Sequence, residues 1–216
     1  MYDFKAYSRG ERIADAAVHV AGIAACAVAV PILIVMAAWW HGASGVLAAA
    51  AIYGASLMAM LGMSAAYNMV QRPKLKSVLR RFDHGAIYVK IAGTYTPFAV
   101  LAGGSAKVLV LTTIWTAALA GLVLVITSPR GFRWMALTLY LAMGWAVVLL
   151  GQPMLDAMTA PGFWLVVTGG LLYTLGVVFH LWDRLPYQNA IWHGHVLVAS
   201  MAFYAAVLME IGHGAT

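Results

Sequence analysis

Charge is what this sequence has least of. Thirteen lysines and arginines with seven aspartates and glutamates make up 9% of 216 residues, where an average soluble domain carries about 25%. So few charges could not cover a soluble surface of this size, so the chain needs lipid as its solvent. Cysteine is nearly missing. Cys26 stands alone, which excludes an intramolecular disulfide and a zinc site built from several cysteines; its apolar surroundings mark it as packing. No P-loop, Rossmann glycine pattern or nucleophile elbow occurs, so nothing points to nucleotide binding. No linker-like stretch divides the chain, and residues 1–216 read as one domain.

What fills the chain is apolar: 63% hydrophobic residues and a mean hydropathy of +0.86. Seven runs of about 20 residues are long enough to span a bilayer. They are expected near 16–39, 45–69, 84–104, 107–127, 132–151, 161–182 and 189–212, an all-α seven-transmembrane-helix bundle. The first run is too long for the core of a cleavable signal peptide, and acidic residues precede it. Small residues such as those of AAAAIYGASLMAMLG favour close helix packing in lipid. Met58, Met60, Met63 and Met69 read as packing rather than a copper box, and Trp39, Trp40, Tyr187 and Trp192 suit an aromatic belt. In TYTP, Pro97 removes a backbone donor and is expected to bend the third span.

A net charge of +6 could suit nucleic acid, but the positions of the cations argue for orientation instead. Lys5, Arg9 and Arg12 precede span one; Arg72, Lys74, Lys76, Arg80 and Arg81 separate spans two and three; Arg130 and Arg133 separate four and five; Arg184 separates six and seven. Lys107 alone falls on the other side, and Lys90 lies inside span three. The positive-inside rule then places the N-terminus in the cytoplasm and the C-terminus outside. The loop QRPKLKSVLRRFD reads as a cationic surface segment facing anionic lipid.

With that topology, the polar residues gather. Glu11, Asp15 and His19 begin span one, Ser64 and Asn68 end span two, and Asp83 and His84 begin span three. His180 ends span six, and Asn189 and His193 begin span seven. Spacings of four put Ser64 with Asn68, and Asn189 with His193, on one face each. His195 sits about 200° round the helix from His193. His41, Asp156, Glu210 and His213 scatter on the opposite side. One such residue would be a satisfied interfacial group; five spans contributing at one depth point to a functional cavity.

The segments RRFDHGAIYVKIAGTYTPF (80–98), SAAYN (64–68), ERIADAAVHVAG (11–22) and PYQNAIWHGHVLVAS (186–200) resemble the signature of the haemolysin III family. That family is the bacterial branch of the progestin and adiponectin receptor family. The resemblance covers the whole chain. It implies a seven-helix protein of the bacterial inner membrane, with a cytoplasmic N-terminus and a zinc site near the cytoplasmic face. In the family, three histidines bind zinc, while a serine and an aspartate stand beside them and the aspartate holds a zinc-bound water. By position the serine is Ser64, the aspartate is Asp83 and one ligand is His193. The other two ligand positions hold Asn68 and Asn189, and neutral amides are poor zinc ligands. Glu11, Asp15, His19 or Asp83 could make up the set. Lys90 stands where the family is usually apolar; either its ammonium snorkels back and partly replaces the metal charge beside Asp83 or Glu11, or it reaches a local carbonyl or water with no special role.

Three functions follow as alternatives: a role in membrane lipid or energy homeostasis, zinc-dependent hydrolysis of a lipid amide, or a proton or ion path lined by Asp83, Lys90 and the histidines. Each implies membrane lipids as partners and none involves nucleic acid.

Overall fold

A computed structural model describes residues 7–127 and 133–215; Lys5 and Arg130, counted above as orientation signals, lie outside them. Among the described residues all regular structure is helical. The elements are α1 (Arg9–His41), α2 (Gly45–Met69), α3 (Pro73–Ala102), α4 (Gly104–Thr127), α5 (Arg133–Trp145), α6 (Val147–Leu150), α7 (Gln152–Asp156), α8 (Ala160–Leu181) and α9 (Gln188–His213). Five of them (α1, α2, α4, α8 and α9) are long and apolar enough to cross a membrane.

Local chemistry sets the helix ends. Ser8 and Glu11 form a capping box: the Glu11 N–H donates to Ser8 Oγ at 3.2 Å and the Ser8 N–H to Glu11 Oε2 at 2.8 Å. Pro73 occupies the first turn of α3, where its missing N–H costs nothing. The basic segment expected as a loop is therefore helical from Pro73 onward, extending α3 beyond the apolar run by about 16 Å. Gly103 and Gly104, with φ of 67° and 57°, end α3 and start α4 without a longer loop. Pro97 lies inside α3, which stays helical on both sides of it.

The expected fifth span is broken. Helix α5 stops at Trp145, and a single turn (α6) and a short α7 follow instead of one continuous helix. Gly144, Gly151 and Pro153 supply weak points in the sequence. The Tyr95 hydroxyl of α3 sits in the break, donating toward the carbonyls of Met143 (2.9 Å) and Gly144 (3.1 Å) and accepting from the Val147 N–H at 2.9 Å. A side chain inserted into the helix ladder thus satisfies the backbone groups that the interruption frees.

Several helix pairs approach closely at a glycine. Gly93 of α3 leaves no room for a Cβ beside Ser56 of α2, and a Cβ on Gly121 would fall 2.7 Å from the Tyr88 ring. The buried residues of α8 are Gly162, Gly169 and Gly176, seven apart, a small-residue stripe laid against α9. A Cβ on Gly169 would lie 2.6 Å from Phe203, and one on Gly176 3.0 Å from His195 Cβ and from Trp192. At the far end of this contact Glu210 accepts from the Thr159 hydroxyl at 2.6 Å and the Thr159 N–H at 3.1 Å. It places a carboxylate at the N-terminus of α8, where the helix dipole favours negative charge.

Candidate functional site

The polar ends of α1, α2, α3 and α9 meet around the Asp15 carboxylate. Asp15 is 7% exposed and His19, one turn further along α1, is 4% exposed. Asp15 Oδ1 accepts from His193 Nδ1 at 2.6 Å, and Asp15 Oδ2 accepts from Asn189 Nδ2 at 3.1 Å. The same Asn189 amide donates to Asn68 Oδ1 at 3.0 Å, while Asn68 Nδ2 donates to the Ser64 carbonyl at 2.9 Å. The two asparagines at the resemblance's ligand positions thus form a hydrogen-bonded brace that holds Asp15.

These contacts decide the tautomers. A carbonyl only accepts, so His19 Nδ1, 2.8 Å from the Asp15 carbonyl, carries the proton. His193 Nδ1 donates to the carboxylate by the same logic. Both lone pairs are then left on Nε2, and both Nε2 atoms face Ser64 Oγ, at 3.2 Å from His19 and 3.4 Å from His193. Asp83 stands near Ser64 and His193. One hydroxyl hydrogen is offered to two imidazole lone pairs. The point between them lacks positive charge, which a proton or a divalent cation would supply.

Asp15, His19 and His193 each offer a ligand atom, and these atoms lie within 4.8 Å of one another. Of the residues that could make up the set, Asp15 and His19 are the two brought to His193, while Glu11 is not. His19 and Asp15 of α1 stand where nitrogen ligands from α2 and the start of α9 were implied. Two imidazoles and a carboxylate suit a borderline divalent ion such as zinc. With Nδ1 of His193 tied to Asp15, that carboxylate acts most directly as the group orienting the ring.

The cluster opens on a cavity of about 890 Å³, within the range of ligand-sized pockets. Ser64, Asn68, Asp83, His84, Lys90, His180, Asn189, His193 and His19 line it. Glu11 does not. Its carboxylate caps α1 and accepts from the Tyr187 N–H at 3.1 Å, so it braces the α8–α9 connection instead of joining the cavity. At the mouth, Lys76 and Arg80 accompany Tyr7. Burial, then Tyr67 and the carboxylates of Asp15, Glu11 and Asp183, pushes the Tyr7 phenol up to about 12, which keeps it a neutral donor. Burial lowers the Lys76 ammonium, with Asp15 working against that shift.

Lys90 does not snorkel back to Asp83 or Glu11. Seven residues place it about 10 Å further along α3 than Asp83. There it is 3% exposed, with Nζ 4.3 Å from the Tyr173 ring centroid and 4.8 Å from that of Phe203. No ion pair reaches it among the described residues. A cation–π contact is worth about 0.5–2 kcal/mol, depending on how far water is excluded from it.

His195 turns from the cavity toward α8, its Nδ1 bonded to the Ile191 carbonyl at 2.9 Å and its ring 4.7 Å from Phe179. Trp192, read above as part of an aromatic belt, lines the cavity with its ring 5.0 Å from that of His180. Sequence spacing could not reveal Asp15 as the hub, because its partners come from α9, more than 170 residues away.

The family model described as "Haemolysin-III related" matches residues 11–204. The chain belongs to the haemolysin-III-related family. It is 35% identical to Hemolysin-3 of Bacillus cereus over 202 residues, covering 93% of this chain and 92% of that protein. The Hemolysin-3 homolog of Bacillus subtilis (strain 168) is also 35% identical, covering 92% and 93%. Monocyte to macrophage differentiation factor of Homo sapiens is 32% identical over 163 residues, 72% of this chain and 67% of that protein. The human match fits the link between the haemolysin III proteins and the progestin and adiponectin receptor family. The matched region contains the whole polar cluster, from Asp15 to His193.

Proposed function

We propose that this haemolysin-III-type protein takes a membrane amphiphile into its cavity, with the polar part at the Asp15–His19–Ser64–His193 cluster. This would serve lipid homeostasis in the bacterial inner membrane. The observation that carries the reading is the cavity's asymmetry. One end is hydrogen-bonding and basic; the walls beyond it, including Phe98, Val147, Met154, Leu155 and Val166, are apolar. In this reading the chain crosses the bilayer seven times, with α3 and the broken α5–α7 unit completing the five long apolar helices. The N-terminus lies in the cytoplasm, as the cation distribution supports. Mass spectrometry of lipid extracted from the purified protein is expected to show a co-purified amphiphile, depleted in the cavity-filling variant Val167→Trp. Lipid-free wild-type protein would remove the reading.

A second reading, zinc-dependent hydrolysis of a lipid amide, is favoured by one specific observation: the two Nε2 lone pairs converging beside Ser64 and Asp83. His19 and His193 would hold the ion, Asp15 would fix the rings, and the ion would supply Lewis acidity toward a carbonyl. In this reading Ser64 and Asp83 would hold water and accept its proton. Elemental analysis of purified protein tests the site apart from activity: one zinc per chain in the wild type, absent in His19→Ala and His193→Ala, is the expected result.

A further inference from the structure

The polar cluster and the apolar walls leave one group unused. Lys90 is buried in the cavity wall, and the groups found around Nζ among the described residues are two aromatic rings. An ammonium has three donors to satisfy. Two aromatic faces, Tyr173 and Phe203, accept its charge but none of its hydrogens in the directional sense. Both rings are held in place independently of Lys90: the Tyr173 hydroxyl is 2.6 Å from Ser200 Oγ, and Phe203 packs into the gap left by Gly169. The structure therefore holds a cation in the cavity wall about two helical turns further along α3 than Asp83.

We propose that Lys90 is an anion-recognition group, binding the terminal carboxylate of a single-chain amphiphile whose hydrocarbon chain lies along the apolar part of the cavity. The aromatic walls fit a small anionic head carrying one chain. A carboxylate supplies the single negative charge and the acceptors that Nζ lacks. Asp15 and Asp83 disfavour a second negative charge at the cluster, so a neutral polar head is taken there, as proposed above, while an anionic single-chain head is taken at Lys90. This inference rests on the cavity taking an amphiphile, as proposed above.

Binding of radiolabelled palmitate and of 1-hexadecanol, which has the same chain without the charge, would be measured at neutral pH on the full chain in nanodiscs. The wild type is expected to prefer palmitate at least tenfold. Lys90→Met should lose that preference while binding hexadecanol as the wild type does, which also reports that the cavity is intact; Lys90→Arg should retain it. Equal binding of the two probes by the wild type would overturn the proposal and leave the amphiphile reading standing. A preference that survives in Lys90→Met but disappears in His193→Ala would place the carboxylate at the imidazole cluster and also overturn it. Binding of neither probe would sink both readings.

Discussion

Asp15 joins α1 to α9 through His193 and Asn189, and through Asn189 to α2. Its value to the site is positional as much as electrostatic. It holds one imidazole by its carboxylate and the other by its backbone carbonyl, so both Nε2 atoms face the same point. Removing an orienting partner of a metal-bound histidine typically lowers metal affinity by about 10–100-fold. Asp15→Ala is expected to weaken zinc binding by that factor in a competition titration, with Asp15→Asn intermediate because its amide oxygen still accepts from His193. Installing the family's ligands with Asn68→His and Asn189→His should raise affinity. The same double change removes the brace on Asp15, so zinc retention in the triple variant that adds Asp15→Ala separates the two ligand sets.

Between helices, two contacts carry more than their size suggests. Tyr95 satisfies backbone groups at the α5–α6 break, and Tyr95→Phe leaves a buried N–H and carbonyls without that partner. A buried unsatisfied group costs about 1–3 kcal/mol, so a clear drop in thermal midpoint in detergent is expected, against little change for the exposed Trp39→Phe. Along α8, the glycine stripe sets the distance to α9 and hence the position of Phe203 under Lys90. Gly169→Leu should destabilise the fold by about 1–3 kcal/mol through overpacking and displace Phe203, which chemical denaturation of the detergent-solubilised protein would detect. The periodicity of the sequence made the long helices legible, because an apolar run of this length has few other states in lipid. The break in the fifth span was not legible: Gly144, Gly151 and Pro153 weaken a helix, but where it opens depends on Tyr95, about 50 residues away in the chain.

Across the described residues, the arrangement is a helical bundle whose polar cluster and apolar walls line one cavity. If the cations orient it as proposed, a cysteine introduced at Ser8 will react with a membrane-impermeant maleimide only after the inner membrane is opened, and one introduced at Ala215 will react in intact spheroplasts. The reverse pattern would invert the proposed topology. In either variant Cys26 is buried and gives little background.

Composition alone determined that the chain is helical and needs lipid, because sparse charge and long apolar runs permit no soluble alternative. The motifs determined the family, and the spacing of four residues determined which polar groups share a helix face. Only the tertiary structure decided which faces meet. It made the asparagines a brace instead of ligands, brought His19 opposite His193, and turned Lys90 toward two aromatic rings rather than toward Asp83. The reason is geometric: helical periodicity sets angles within one helix, but the distance between two helices follows from side-chain packing, here from glycines that let them close.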